Sequence, residues 1–191
     1  MKKIAREDIV SNEKYREMRN EFRDSVMAAK DSRRVIIPPY LTFLFENTLT
    51  MRYQVQEMMR AESIADEKAI QHEIKTYNGL IPDEGEISAT LMIEINDPAV
   101  RAVKLNELVG LENHIFLEWD GGGSARAEFD ESQLDPEKIS SVQYIRFRLG
   151  KDGAEAFQKT GRASIKTTHP GCSYEQELTR KQLEALIEDL S

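Results

Sequence analysis

The densest set of hydrogen-bonding side chains in the sequence lies in one short segment, residues 48–62, TLTMRYQVQEMMRAE. Good helix-forming residues dominate this segment, so it predicts a helix from about residue 48–50 to residue 63. On such a helix, Arg52, Gln56 and Arg60 share one face, while Glu57 lies on another. These groups could bind an anion or a polar ligand, or they could form a buried network that fixes how helices dock. The sequence leaves both readings open.

A second helix is predicted over residues 66–77, and a tight connection requires it to pack beside the first. We therefore expect Gln56, Glu57 and Arg60 to be largely buried and hydrogen-bonded, with at least one contact to residues 73–78. A late histidine, His169, is the other side chain of interest. The candidate ligand-binding residues are Arg52, Gln56, Glu57, Arg60, Glu73, Asn78 and His169.

Metal-binding and catalytic motifs are sparse. None of the three histidines has a glutamate three residues before it, so the Glu-x-x-His spacing of di-iron bundles is absent from the sequence. His169 and Cys172 form His-x-x-Cys, which supplies only two ligands and makes them weak metal candidates. Ser124 lies in GGGSA, which is not a nucleophile elbow. We expect no catalytic residue, no metal and no cofactor.

Length and composition predict one soluble domain spanning residues 1–191. The chain is 40% hydrophobic and 31% charged, with no apolar run long enough for a membrane span and no secretory leader. Its net charge of −8 disfavours nucleic-acid binding. A single cysteine makes an internal disulfide impossible, and we expect a cytoplasmic location.

The first part of the chain, residues 1–82, is predicted to form a helical arm, a β-hairpin and a helix pair. Ser11 is a suitable N-cap for an amphipathic helix that buries Tyr15, Met18, Phe22 and Val26 against the rest of the protein. Alternating apolar residues on either side of two prolines, in VIIPPYLTFLF, predict two short strands joined as a hairpin.

The second part, residues 83–191, is predicted to be mixed helix and strand. The segments ISATLMIEI, HIFLEW, SARAEFD, SVQYIRFRL and RASIKTTH indicate strands, with DGGG joining two of them in a hairpin. Helices are expected from Pro98 until Gly110, near residues 154–159, and after a capping box at Thr179. This element order predicts an α+β fold with a mainly antiparallel sheet covered by helices.

Several of these segments resemble a bacterial family catalogued as domain of unknown function 3501. The resemblance rests on RRVIIPPYLTFLFENTLTMRYQVQEMMRAE, YNGLIP, ATLMIEI and a late HP, and it spans nearly the whole chain. It implies a cytoplasmic protein without an established activity. It also implies genes nearby for rubrerythrin-like and iron–sulfur heterodisulfide-reductase-like proteins, and an aromatic residue in most relatives at the position of Cys172.

Three functional hypotheses follow. The first is a non-enzymatic binding or accessory protein of a redox or peroxide-stress system, with rubrerythrin-like or iron–sulfur partners and a polar core around residues 52–60. The second is a metalloprotein or enzyme that uses Glu57, Glu73 and His169. The third is an interaction scaffold whose polar core is purely structural.

Overall fold

A single antiparallel sheet of eight strands organises the protein. The structure is a computed structural model that describes residues 1–133 and 135–190. In space the strands follow the order β1-β2-β3-β6-β5-β4-β7-β8, and every neighbouring pair is antiparallel. The strands are β1 (Arg34–Ile37), β2 (Leu41–Phe45), β3 (Glu86–Ile93), β4 (Ile115–Trp119), β5 (Gly123–Phe129), β6 (Val142–Arg148), β7 (Ala163–His169) and β8 (Cys172–Glu177).

The sheet curls until its two edge strands, β1 and β8, approach each other, so that it is nearly a barrel. Alternate residues of each strand point inward, as in β6, where Gln143, Ile145 and Phe147 are buried between more exposed neighbours. The main hydrophobic core fills this interior. Its largest fully buried side chains include Phe43, Phe45, Leu91, Phe147 and Phe157.

Six α-helices accompany the sheet within the described residues. Side-chain caps fix several helix starts: Asn47 accepts a hydrogen bond from the Thr50 amide, and Thr179 and Gln182 form a reciprocal capping box. No helix of the described residues is long and apolar enough to cross a bilayer. The helices are α1 (Asn12–Asp31), α2 (Thr48–Ala61), α3 (Glu67–Asn78), α4 (Pro98–Glu107), α5 (Gly150–Gln158) and α6 (Arg180–Asp189).

Helices α1, α2 and α3 build two smaller apolar clusters of their own. In one cluster, Tyr15, Phe22 and Val26 of α1 pack with Tyr53 of α2, and Met18 lies partly buried beside them. This arrangement confirms the predicted docking face of α1. The other cluster lies between α2 and α3 and includes the following residues: Ile4, Ile9, Met51, Val55, Met59, Ile70, Ile74 and Ile81.

The α+β class and the antiparallel sheet are confirmed, with two differences of detail. The predicted short helix near residues 154–159 begins earlier, at Gly150, which has a φ of 65°. Strand β8 was not predicted, because its mostly polar sequence, CSYEQE, lacks alternating apolar residues, and only one of its residues is fully buried. The proline hairpin, β1 and β2, is part of the main sheet.

Candidate functional site

Glu57 is the centre of an ion-pair network between α1 and α2. Its Oε1 accepts hydrogen bonds from Tyr15 Oη at 2.7 Å and from Arg19 Nε at 2.7 Å. Its Oε2 accepts from Arg19 Nη2 at 3.0 Å and from Arg60 Nη2 at 3.1 Å. The carboxylate therefore has four donors from its own chain, and the network fastens α1 to α2.

The electrostatics of this network follow from its hydrogen bonds. The Arg19 guanidinium is the main cause that lowers the pKa of Glu57 to about 2. Burial, followed by the hydrogen bond to Glu57, raises the pKa of the Tyr15 hydroxyl. The side chain of Glu57 is 18% exposed, whereas that of Arg60 is 45% exposed. The expectation that Arg60 is largely buried is therefore wrong, since Arg60 closes the network from the solvent side.

Gln56 and Asn78 bind the backbone of the N-terminal segment, residues 1–10. Gln56 is 2% exposed, and its amide accepts from the Val10 N–H at 2.8 Å and donates to the Val10 carbonyl at 3.3 Å. Likewise, the Asn78 amide accepts from the Ile4 N–H at 2.8 Å and donates to the Ile4 carbonyl at 2.9 Å. Helices α2 and α3 pack side by side as predicted. The hydrogen bonds of Gln56, however, go to the N-terminal segment rather than to α3.

Arg52 and Glu73 lie apart from these contacts. The Arg52 guanidinium stacks over the ring of Phe22, 4.7 Å from its centroid, and its buried Nε has no hydrogen-bond partner among the described residues. Glu73 is half-buried on α3. Burial is the main cause that raises the pKa of Tyr77, and the charge of Glu73 adds to it. The two groups do not form one site with Glu57.

His169 lies at the turn between β7 and β8, where Cys172 is its cross-strand partner. Its Nε2 lies 3.2 Å from the Val109 carbonyl, and its Nδ1 accepts from the Gly171 N–H at 3.1 Å. Cys172 is buried, and burial raises the pKa of its thiol. Within residues 1–133 and 135–190, no three His, Cys, Asp or Glu side chains are grouped to hold a metal.

The turn at His169 and the start of α2 lie at opposite ends of strand β2. Tyr40, just before β2, donates a hydrogen bond to the Gly171 carbonyl, whereas Glu46 and α2 follow the other end. Five strand residues separate the two ends by roughly 17 Å. His169 is therefore not brought to the face of Arg52, Gln56, Glu57 and Arg60.

A cleft of about 210 Å³ lies where the end of α3 meets the outer face of the sheet. The buried residues Glu46 and Ser88 contribute to its inner wall, and the exposed carboxylates of Glu128 and Asp130 lie nearer solvent. We call this cavity the Glu46 cleft. It is lined by Glu46, Gly79, Leu80, Ser88, Ala89, Glu128, Phe129, Asp130, Tyr144, Ile145, Arg146 and Arg148.

Glu46 is only 4% exposed, yet its hydrogen-bond donors are neutral. Thr90 Oγ1 donates to its Oε1 at 2.6 Å, and Thr50 Oγ1 donates to its Oε2 at 2.6 Å. Burial is the main cause that raises the pKa of Glu46, and the two threonine hydroxyls oppose that effect. The pKa of Glu57, on α2, is thus lowered, whereas that of Glu46, between β2 and α2, is raised.

The two arginines of the Glu46 cleft are already paired. Arg146 Nη1 donates to Glu86 at 2.7 Å, and Arg146 Nη2 donates to the Gly79 carbonyl. Arg148 Nε lies 3.0 Å from Glu128 and 3.3 Å from Glu86. These pairs tie β6 to β3, β5 and the end of α3.

Another cleft, of about 240 Å³, lies on the β4–β7–β8 side of the sheet and is also rich in carboxylates. There, however, Glu118 pairs with Lys166, and Glu177 pairs with Arg162. Glu175 accepts a hydrogen bond from Ser164 at 2.9 Å and is exposed. The Glu46 cleft differs because its wall holds a deeply buried carboxyl group, so it is the better candidate site.

Glu46 was not among the residues predicted from the sequence, although the sequence carries a signal for it. It directly follows LTFLF, a strand in which all five residues are buried, and it precedes the N-cap Asn47. A charged residue next to a fully buried strand is unusual, because burying an ionised group is unfavourable without compensating partners. The polar residues of the segment 52–60 are more numerous and were predicted as the site instead.

Comparison with known proteins agrees with this architecture, an α+β protein built on a nearly closed antiparallel sheet. The chain belongs to the family described as "Protein of unknown function (DUF3501)", whose model matches residues 3–190. It is similar to a protein of unknown function from Burkholderia pseudomallei solved by crystallography, with 33% sequence identity, a TM-score of 0.92 and 100% of each chain covered. Among curated proteins, no relative matches.

Proposed function

We propose that the protein is a non-enzymatic binding or accessory protein whose ligand site is the Glu46 cleft. The observation that carries the proposal is that Glu46, whose buried carboxyl is held by two threonine hydroxyls, is one of the residues that line an open cavity. A volume of about 210 Å³ is smaller than the ~300–1,000 Å³ of drug-sized pockets, so the ligand is a small molecule.

The polar residues around Arg52–Arg60 then have a supporting role in this proposal. Glu57 and Gln56 each use their polar atoms to hold other parts of the same chain. Such contacts favour a structural network, which positions α2 and, through its first turn, Thr50 against Glu46. The buried Nε of Arg52 has no acceptor among residues 1–133 and 135–190, so Arg52 remains a second candidate for binding a polar group.

The test is a binding screen with a variant that fills the Glu46 cleft. Leu80 lines the cleft and is half-buried, so Leu80→Trp should occupy the space that a ligand would use. Val142→Trp, at an exposed position of β6 outside the cleft, is the matched control. We expect small polar metabolites that raise the melting temperature of the wild type and of Val142→Trp to have no effect on Leu80→Trp. Hits that stabilise all three proteins equally would refute the site.

The family resemblance supports a further proposal about context, namely that the protein acts with rubrerythrin-like or iron–sulfur redox proteins in peroxide-stress metabolism. An accessory role suits this chain, because its one thiol, Cys172, is buried and its pKa is raised. A deletion strain complemented with wild type or Leu80→Trp should separate the possibilities. We expect Leu80→Trp to leave the strain sensitive to peroxide, and equal growth of both would contradict the role.

A further inference from the structure

We infer that the Glu46 cleft accepts a compact organic cation, such as a protonated primary amine, whose positive charge pairs with the Glu46 carboxylate. The inference rests on the proposed binding function and adds the chemical class of the ligand. It follows from the charges of the cleft wall, the state of the nearby cations and the shape of the apolar lining.

Glu46 forms no salt bridge with another residue in the part of the chain that the structure describes. Among the residues that the structure describes, no Lys, Arg or His nitrogen lies within 4.0 Å of its carboxylate oxygens. The two cations whose charges favour its ionised form, Lys30 and Arg33, are engaged elsewhere. Lys30 Nζ lies over the Tyr53 ring at 5.4 Å, and Arg33 Nη2 donates to Asp189 at 2.7 Å.

A buried carboxylate without a cation is unfavourable, and a bound cation would remove that penalty. Each carboxylate oxygen of Glu46 accepts one threonine hydroxyl, and an oxygen of this kind can accept a second hydrogen bond. An ammonium group has three donors. Ser88 Oγ donates its proton to the Leu80 carbonyl at 2.7 Å. Toward a ligand, the Ser88 hydroxyl can therefore act only as an acceptor.

The cleft lining as a whole has more negative than positive groups. Glu46, Glu128 and Asp130 supply three carboxyl groups, whereas Arg146 and Arg148 supply two guanidinium groups. Both guanidinium groups also pair with Glu86, which lies outside the lining. An anionic ligand would therefore have to displace existing ion pairs and approach Glu46, whereas a cation meets an excess of negative charge.

The remaining lining suits the apolar part of such a ligand. Phe129 and Tyr144 supply aromatic rings, which attract cations through their faces and pack against alkyl chains. The cleft volume of about 210 Å³ matches a small ligand better than a peptide or a nucleotide. A short alkylammonium ion fits both the charge and the volume of the site.

The test uses three probes of similar size, n-butylammonium, 1-butanol and butyrate, titrated into the full-length protein at millimolar concentrations and neutral pH. Binding is measured by two-dimensional NMR at the amides of Thr50 and Thr90, whose side chains bond Glu46. The carbon-13 resonance of the Glu46 carboxyl is followed against pH with and without n-butylammonium. Glu46→Gln removes the charge at the site. Glu118→Gln, which removes a half-buried carboxylate of the other cleft that pairs with Lys166, is the matched control.

We expect n-butylammonium to bind at least about tenfold more tightly than the alcohol or the carboxylate, which is the discrimination that one charged hydrogen bond provides. Glu46→Gln should lose that preference and Glu118→Gln should keep it. In the wild type, the cation should shift the Glu46 titration to lower pH.

Equal affinity for the three probes, an unchanged affinity in Glu46→Gln, or no binding of n-butylammonium would each overturn the inference. The titration of Glu46 in the wild type gives an answer even if Glu46→Gln is poorly folded. Metabolite hits that are blocked by Leu80→Trp but are neutral or anionic would leave the proposed function standing and reject only the cation. Hits that Leu80→Trp does not block would reject the site itself.

Discussion

Two glutamates, Glu57 on α2 and Glu46 just before α2, show how environment decides what a carboxyl group does. Glu57 accepts hydrogen bonds from two arginines and a tyrosine, so its ionised form is favoured. Glu46 accepts only from two threonine hydroxyls and is more deeply buried, so its ionised form is disfavoured. The Glu57 carboxylate stabilises the fold. The ionised form of Glu46 is unfavourable, and a bound cation would compensate its charge.

For Glu57, the pH dependence of stability has a definite sign. Its pKa falls from an ordinary 4.5 to about 2 in the folded protein. Its contribution is therefore fully present above pH 4.5 and is lost as the pH falls toward 2. Because the side chain is partly screened by solvent, we expect Glu57→Gln to lower the free energy of unfolding by about 1–3 kcal/mol at pH 7.

Urea unfolding of wild type and Glu57→Gln at a series of pH values tests this expectation. The gap between the two proteins should shrink as the pH falls below 4.5. Glu67→Gln is the matched control, because Glu67 pairs with Arg6 at the surface and its loss should change stability little. A gap that stays constant down to pH 2.5 would contradict the assigned role.

Glu46→Gln should raise the free energy of unfolding at neutral and higher pH, whereas Glu57→Gln lowers it. Since the folded pKa of Glu46 is raised above 4.5, its favourable contribution is present below that value and is lost as the pH rises through the folded pKa. We therefore expect the ligand-free variant to match the wild type near pH 4 and to exceed its stability at pH 8. The same urea series measures this difference. A variant that is less stable than the wild type at pH 8 would show that the Glu46 charge is compensated.

At the scale of elements, the N-terminal segment, residues 1–10, is held along the helix pair by side-chain amides that imitate a neighbouring strand. Gln56 pairs with the backbone of Val10, and Asn78 pairs with the backbone of Ile4. Lys3 donates to the Ile81 carbonyl at 2.7 Å, just beyond the end of α3. The segment thereby covers apolar residues of α2 and α3 that would otherwise face water.

Gln56→Ala should loosen this segment. The change leaves the Val10 N–H and carbonyl without their partner, and we expect a loss of about 1–3 kcal/mol of stability. Hydrogen exchange at the Val10 amide should become faster, and Asn78→Ala should do the same at Ile4. Gln71→Ala, at an exposed position of α3, is the control. Unchanged exchange at both amides would mean that apolar packing alone holds the segment.

Much of this element arrangement was predictable, because local signals decide it. Apolar spacing in α1, the cap at Asp97 with Pro98, and the DGGG hairpin each predict their element correctly. Contacts between distant segments carry no such local signal. The amide clamps on residues 1–10 and the cleft beside Glu46 join residues some 40–75 positions apart, so only the folded chain brings them together.

At the scale of the whole molecule, the nearly closed sheet depends on the junction between its edge strands. Helix α6 follows β8 and inserts Leu183 and Leu186 into the main core. Its Gln182 amide donates to the Arg34 carbonyl of β1, which satisfies a group on the open edge. Arg33 and Asp189 form a bidentate pair between the start of β1 and the end of α6, and their side chains are only 6% and 8% exposed.

Asp189→Asn should therefore weaken the closure of the sheet. The variant keeps the shape of the side chain but leaves the buried Arg33 guanidinium without its counter-ion, which typically lowers stability by about 3–5 kcal/mol. Urea unfolding measures the loss, and hydrogen exchange in β1 and β8 should report the opening. Glu184→Gln removes an exposed ion pair with Arg180 on the same helix and should have little effect.

The double variant Arg33→Met/Asp189→Leu tests whether the ion pair or the packing of its side chains stabilises this junction. Because it removes both ions and keeps apolar volume, it should be more stable than Asp189→Asn, which leaves a buried guanidinium without a counter-ion. Exchange in β1 and β8 should return toward that of the wild type if α6 again covers the strand edges. If Asp189→Asn and Glu184→Gln instead lose the same small stability, the barrel is closed by the apolar contacts of α6, and the buried pair only orients its last turn.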